Sequence, residues 1–425
     1  MPAIKIGAAM TLALAIAAFD PASLRAADAP LTVSQLVEIA IEANPQVRSA
    51  RYRWDSAVHS IKQTVAPNDP IFTYTNSDSV KSPVGRAALR EFNVSESFQF
   101  PGKALHQRDQ AVRSADIAHL MLMATIRDVR AATETAYFQL VLDSALGSVV
   151  AENVGNLDQV VRVVETAYSG SKVAQTDVVS AEFDLATARQ LQRQYIVAQA
   201  NDETTLNLLL GRPVGSPLSV DRTLKIEALT VPLDALTDRA YAARQEILAA
   251  ALAERNMNTA LYLAKMEYLP DFTVAVQYDD YLVPSFAPRP SQKRDWVGVI
   301  GFNMPIFFWL KQDEDVARAK ANLQAARSDL ALIRMQTAAA VATLFRSAQF
   351  AYESAVLYRD SLIPLAQQNF RVALTAYQSG KIDFVTLSLV LQRNYAARVS
   401  YLQAANQFLA GQISLEQAIG APLHQ

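Results

Sequence analysis

Apolar residues recur every three to four positions along most of this chain and alternate with polar ones in four short stretches. The helical period opens at Leu31-Thr32-Val33-Ser34-Gln35-Leu36, with Thr32 or Ser34 as cap, and runs through Ala40, Ala43, Val47 and Val58 to about Val65. Pro45 falls inside this pattern, so a kink or break is expected after Ala43. A matching helix is expected over Leu236–Tyr268. There Ala240-Tyr241-Ala242-Ala243 stands 200 residues after Ala40-Ile41-Glu42-Ala43, and Pro270 keeps the same spacing from Pro70.

Each of these helices leads across its proline into alternation. Phe72 and Tyr74 face one way, Thr73 and Thr75 the other. After a polar stretch, Asn76–Arg90, residues Phe92, Val94, Phe98 and Phe100 share a face opposite Asn93, Ser95, Ser97 and Gln99. The second set places Phe272, Val274, Val276 and Tyr278 together. A Pro-rich loop, Leu282–Arg294, and a return strand with Trp296, Ile300, Phe302 and Met304 on one face follow. Strands of roughly nine to eleven residues, aromatic on one side and small or polar on the other, fit a transmembrane β-barrel. Either pair taken alone also fits a soluble hairpin. In the membrane reading the polar loops are extracellular.

Pro101-Gly102-Lys103 ends the second strand and starts a helical pattern reaching about Tyr168, roughly 100 Å at 1.5 Å per residue. Its seam reads Ala111, Ala115, Ala118, Leu122, Thr125, Val129, Ala132 and Ala136, with Gly147 and Gly155 as possible irregularities. The counterpart runs from about Gln312 to Tyr377, with a kink expected at Pro364. Both end in short polar breaks. Gly170 and Gly380 are expected to take the positive φ of a helix stop, and Thr176 and Asp383 to cap the returning helices. The returns stop at Gly211-Arg212-Pro213 and Gly420-Ala421-Pro422. Between them, Val214–Leu233 reads as a linker packed outside the helical body.

The two halves are copies. A shift of 209 carries Thr166-Ala167-Tyr168 to Thr375-Ala376-Tyr377, Lys172 to Lys381, Arg162-Val163 to Arg371-Val372, Ala188-Arg189 to Ala397-Arg398, Gly211 to Gly420 and Pro213 to Pro422. The offset is 200 at the first helices, 204 at Pro101/Pro305 and 209 at the tips, as insertions in loops would give. The expected organisation is a secretory signal over 1–27, a first repeat over 28–213, a linker over 214–233 and a second repeat over 234–425. The signal rests on Lys5, an apolar run over Ala8–Phe19 and small residues over Ala22–Ala29.

Composition narrows the function. A net charge of −2 argues against nucleic acid as a partner. With no cysteine there is no disulfide, thiolate metal site, cysteine nucleophile or lipid-modified cysteine. His59, His106, His119 and His424 are scattered, without the spacing of a helical metal site. Pro101-Gly102-Lys103 lacks the other residues of a phosphate loop. No catalytic constellation stands out, so neither an enzyme nor a cofactor is expected. No run of about 20 apolar residues follows the signal, so any membrane span must be β. Four strands cannot close a barrel, and an open edge in lipid leaves backbone groups unpaired. Three chains sharing one twelve-stranded barrel would solve this, their helices continuing as a tube.

The order helix, strand pair ending Phe98-Gln99-Phe100-Pro101-Gly102-Lys103, long helix, tip and Gly-x-Pro stop, run twice, resembles the TolC-like outer-membrane efflux family. Ser379-Gly380-Lys381-Ile382-Asp383-Phe384-Val385-Thr386-Leu387 is similar to that family's second-repeat tip and Thr176-Asp177-Val178 to its first. The short length, missing lipid-attachment cysteine and Pro-Gly-Lys turn look most like its cobalt-zinc-cadmium branch. The resemblance implies a fold that is mainly α with a small β part. It implies a homotrimer in outer-membrane lipid that extends as an α-barrel into the periplasm. There it would meet a periplasmic adaptor and an inner-membrane pump of the proton-driven RND type, and export heavy-metal cations passively. It also implies that Tyr168, Gly170, Lys172, Thr176, Asp177, Tyr377, Gly380, Lys381, Asp383 and Thr386 form the periplasmic gate and adaptor-docking tips. The positions that match the family's acidic constriction are Thr386 and Leu389, neither acidic, so Asp383 or Asp177 would have to serve. Type I protein secretion or drug efflux would use the same architecture. A soluble periplasmic coiled-coil scaffold is the alternative of another class.

Overall fold

The computed structural model describes residues 30–82, 85–282 and 293–423. The expected signal, nearly all of the second strand pair's loop and His424 lie outside the described residues. The first described helix is α1 (Val33–Ala43), capped by Thr32. Thr32 N–H donates to Gln35 Oε1 at 3.0 Å, and its hydroxyl accepts from Gln35 N–H in return. The chain breaks at Asn44, whose side-chain oxygen accepts from Gln46 N–H at 2.8 Å, and Pro45 opens α2 (Pro45–Thr64), as its missing N–H allows.

The matching helix of the second repeat corrects the sequence expectation. It is not continuous over Leu236–Tyr268 but divides into α5 (Leu233–Ala243) and α6 (Gln245–Met266) at an extended Arg244, where there is no proline. Packing against the end of the repeat makes the break. Arg244 Nη1 donates to Ala418 O at 3.2 Å and Gln245 Nε2 to Gly420 O at 3.2 Å. Asn44, at the equivalent place, donates to Leu209 O at 3.4 Å. Each break is thus fastened to the end of its own repeat's return helix.

Strands β1 (Ile71–Ser82), β2 (Gly85–Phe98), β3 (Phe272–Leu282) and β4 (Lys293–Phe302) form one antiparallel sheet in the order β1-β2-β3-β4. Its central pair, β2 with β3, joins the two repeats. Of the polar stretch Asn76–Arg90, residues 76–82 and 85–90 are strand rather than loop. Asn76 pairs with Arg90, Ser77 with Leu89 and Val80 with Ala87, with a register shift between Ser77 and Val80. Ladder hydrogen bonds use the backbone, so side-chain polarity did not end the strands. One face carries two aromatic rows. Tyr74, Phe92, Tyr278 and Trp296 lie in register across all four strands, with ring centroids 5.0, 6.3 and 5.0 Å apart. Six residues further along, Phe98, Phe272 and Phe302 form the second row.

From Gly102, at φ 103°, α3 runs unbroken over Lys103–Ser169, about 100 Å. Neither Gly147 nor Gly155 interrupts it. Its buried seam follows Ala115, Leu122 and Val129 as expected but then continues through Thr133, Tyr137 and Leu140. Ala132 is exposed and Ala111, Ala118, Thr125 and Ala136 only half-buried, because a straight helix drifts from a strict seven-residue repeat. The return helix is α4 (Gln175–Leu209). In the second repeat α7 (Gln312–Leu357) passes through one π turn, Tyr358–Leu362, into α8 (Ile363–Gln378), with Pro364 just after the irregularity; α9 (Phe384–Ile419) returns. The linker lies along the helices: Leu31 pairs with Val220, Leu218 and Val220 are buried, and Tyr137 Oη donates to Asp221 O at 2.6 Å.

The two long helices of each chain start at a shared point. Lys103, 2% exposed, ion-pairs with Asp271 at 3.0 Å and Glu267 at 3.2 Å. Gln312, its equivalent at a shift of 209, is also buried and donates to Glu267 O at 3.5 Å. The turn before β3 therefore holds both helical hairpins where the sheet gives way to the helices.

Candidate functional site at the helical tips

The far ends of the hairpins carry every residue expected at the gate. In the first, Ser171 N–H donates to Tyr168 O at 2.8 Å and Lys172 N–H to Ala167 O at 2.9 Å. In the second, Gly380 N–H donates to Tyr377 O at 2.9 Å and Lys381 N–H to Ala376 O at 2.9 Å. The backbones close in the same way, as Schellman-type stops. Their residues differ. Gly380 takes the positive φ, 72°, as expected, but Gly170 does not: its φ is −81°, and Ser171 carries the turn at φ 59°. The duplication already aligns Ser171 with Gly380, and the nearby glycine obscured it.

The caps differ too. Asp383 caps α9, accepting from Thr386 N–H at 2.9 Å, and these hydrogen bonds from Thr386 hold its carboxyl below the usual range. Thr176 does not cap α4. The cap position is Ala174, which has no side chain to offer, and Thr176 lies inside the first turn. Asp177 follows it there, where the helix dipole favours an anion.

Both tips pack into one apolar cluster. Leu157, Val160, Val164, Ala181 and Leu185 of the first hairpin meet Ala373, Tyr377, Phe384 and Leu387 of the second. Between the tips lies a groove of about 780 Å³. Of the ten expected residues it brings together Gly170, Lys172, Asp177, Tyr377, Gly380 and Asp383; Tyr168, Thr176, Lys381 and Thr386 lie outside it. Tyr377 is 6% exposed, its hydroxyl has no hydrogen-bond partner, and burial first and the Asp177 charge second raise its pKa. Asp177, Asp383, Lys172 and Arg162 give the groove both signs of charge around an apolar floor. Arg162, ion-paired with Asp158 at 2.5 Å, was not among the residues expected at the gate. Its repetition as Arg371 was the available signal. Thr386 and Leu389 lie on the first turns of α9, Leu389 with its side chain exposed.

Among the described residues no three acidic or histidine side chains converge as metal ligands. No described helix is long and apolar enough to cross a membrane. The groove thus combines both signs of charge with an apolar floor at the far end of the helical body.

The comparisons agree with this architecture. A profile of the family described as outer membrane efflux protein matches residues 36–212 and 236–421, once on each repeat. The cobalt-zinc-cadmium resistance protein CzcC of Cupriavidus metallidurans is 21% identical over 406 residues, covering 94% of this chain and 92% of its own. Among solved structures, the outer-membrane channel OprN superposes with a TM-score of 0.77 at 17% identity, covering 92% of this chain and 91% of that one. The CmeC outer membrane channel of Campylobacter jejuni gives 0.76 at 13% identity, covering 92% and 87%. At such identities the likeness to the solved structures is one of fold.

Proposed function

The chain belongs to the outer membrane efflux protein family, and from that premise we propose that it is the outer-membrane conduit of a metal-exporting tripartite system. It is an outer-membrane channel protein of mixed α and β build, from a channel family rather than an enzyme family. Its working form in this proposal is a homotrimer of twelve strands. The observation that carries it is the open sheet: β1 and β4 are edges, with no partner among the described residues. An edge in lipid leaves each unpaired group at a cost of several kcal/mol. Pairing β4 of one copy with β1 of the next removes every edge.

Each chain would contribute two repeats, 28–213 and 234–425, to the tube, joined by the 214–233 linker. The tips would form the periplasmic mouth, with a proton-driven pump and an adaptor supplying energy and contact. Heavy-metal cations are the favoured cargo because the similarity to CzcC spans nearly the whole chain. A conduit needs no metal site of its own, and pore-lining charge suffices for preference. Asp177 and Asp383 supply the anions at the tip groove. The test is conductance of the purified protein in planar bilayers, with a deletion strain challenged by zinc, cobalt and cadmium. Channels that lose cation preference in Asp177→Ala/Asp383→Ala support the assignment. A protein recovered as a soluble periplasmic monomer without conductance refutes it.

A further inference from the structure

The second repeat contains a segment that the first lacks. Pro101 and Pro305 are 204 apart, whereas the long helices that follow start 209 apart, at Lys103 and Gln312. The five extra residues are Ile306-Phe307-Phe308-Trp309-Leu310, and all five side chains are exposed, Leu310 to 70% and Phe307 to 60%. Met304, just before them, is 65% exposed. An exposed run of this kind is rare unless something apolar covers it.

The segment is nevertheless built rather than loose. Leu310 N–H donates to Phe307 O at 3.0 Å and Asp313 N–H to Phe308 O at 3.0 Å. Trp309 lies edge-on to Phe308 and Phe307, at centroid distances of 5.3 and 5.9 Å. Phe308 also meets Tyr268 at 6.4 Å, and the Tyr268 hydroxyl donates to Asp313. The polar boundary follows at once, with exposed Lys311 and then Asp313, Glu314 and Asp315 in the first turn of α7.

Its position suggests the cover. The segment continues β4 beyond Phe302, on from the face that carries Trp296, Ile300 and Phe302. The two aromatic rows are six residues apart, about 20 Å along a strand and about 15 Å of height at a tilt near 40°. The apolar band of a membrane barrel is about 25 Å tall. The two rows account for about 15 Å of that band, and Ile306–Leu310 follows directly on the row that ends β4 on the side of the helices. An apolar segment lying at a headgroup boundary penetrates about 5–10 Å.

We propose that Ile306–Leu310 is an interfacial anchor, with Phe307, Trp309 and Leu310 inserted into the periplasmic phospholipid leaflet beside the barrel and Lys311 at headgroup level. It supplies a lipid attachment to a chain that has no cysteine to acylate. Only the second repeat has it, so a trimer would carry three anchors alternating with three bare Pro101-Gly102 turns. The proposal rests on the reading that β1–β4 cross the outer membrane, and the test separates the two.

The chain has three tryptophans, Trp54, Trp296 and Trp309. Trp54→Phe/Trp296→Phe leaves Trp309 as the only tryptophan to excite selectively; Trp54→Phe/Trp309→Phe leaves Trp296. Each protein is reconstituted into phosphatidylcholine vesicles brominated at shallow or deep acyl positions. The expected result is quenching of both, with shallow bromines quenching Trp309 roughly twofold more than deep ones. Quenching of Trp296 alone overturns the anchor and leaves the barrel standing, since Trp309 then faces water or a neighbouring subunit. Trp309 quenched as strongly by deep bromines also overturns it. Quenching of neither removes the barrel reading and the anchor with it.

Discussion

The crossing of long helix and return helix is built from opposite materials in the two repeats. In the first, Asp143 of α3 approaches Asp202 of α4. Gln139 Nε2 donates to Asp143 Oδ2 at 3.3 Å, and Gln199 Nε2 to Asp143 O at 3.4 Å. A shift of 209 turns Asp143 into Tyr352 and Asp202 into Gly411. There Tyr352 packs on the fully buried Phe408 at 5.2 Å, and a Cβ on Gly411 would stand 3.1 Å from that of Ala348. One crossing is polar, the other apolar and close. Both backbones still follow the same path. Duplication has kept what the chain path demands and released what it does not.

The stop glycines are the strictest demand, and they offer the hardest test. Gly211 and Gly420 both take positive φ, 63° and 80°, and both abut the break of the short helices. A Cβ on Gly420 would stand 2.8 Å from Arg244 Cα, whereas on Gly211 the nearest atoms, of Ala43, are at 3.3 Å. Gly420→Ala should cost about 3 kcal/mol, the left-handed penalty plus a backbone clash, and Gly211→Ala about 1.5 kcal/mol. Denaturant midpoints of the purified protein check the order. Equal losses would show the two stops to be interchangeable.

Next in size is the junction below the sheet. Lys103→Met leaves Asp271 and Glu267 without their cation and should cost about 2 kcal/mol, the half-exposed partners holding the loss below that of a fully buried pair. Gln312→Met removes only one long hydrogen bond and should cost under about 1 kcal/mol. If the glutamine mattered as much as the lysine, the charge at this point would not be what fastens the repeats.

At the tips each repeat predicts how to improve the other. Ser171→Gly should stabilise by up to about 1 kcal/mol and Ala174→Asp by about 1 kcal/mol, while Gly380→Ala and Asp383→Ala lose similar amounts. Amide exchange in the first turns of α4 and α9 reads these directly. Protection in α4 that fails to rise with Ala174→Asp would mean that the first hairpin's start is set by packing rather than by its cap.

Periodicity and breakers made the element order, the Asn44 break, the four strands and the irregularity before Pro364 legible. What escaped was decided by contacts distant in sequence. Arg244 breaks a helix because Gly420 and Ala418 lie against it, which no local pattern signals. The strands outrun their apolar stretch because the backbone ladder does not depend on side-chain polarity. Thr176 looked like a cap because its residue type suits one, yet the turn's geometry gave the position to Ala174. At the site, the shared chemistry of the tips was readable residue by residue. Their meeting in one groove was not, because it depends on how two hairpins 209 residues apart pack together. The sharpest tool was the duplication itself, which places Ser171 on Gly380 and Asn44 on Arg244.

The smallest expected effect returns to the polar crossing. Burial first, and then the hydrogen bond and charge of Asp143, push the Asp202 carboxyl up to about 7. One Asp202 oxygen is buried without a hydrogen-bond partner, which favours the protonated carboxyl there. In the unfolded chain the same group titrates near 3.9. Between about pH 4 and pH 7 the folded state therefore binds more protons than the unfolded one, and stability falls as pH rises through that window. Solvent reaches part of the site, which keeps the slope shallow. Asp202→Asn should flatten it, because the amide donates to Asp143 at every pH. Gly411→Asp would not recreate the dependence, since the second crossing has no room for a carboxyl. Melting temperatures from pH 4.5 to 7.5 check both points. An unchanged slope in Asp202→Asn would place the titration elsewhere and leave the two crossings different in packing but alike in charge.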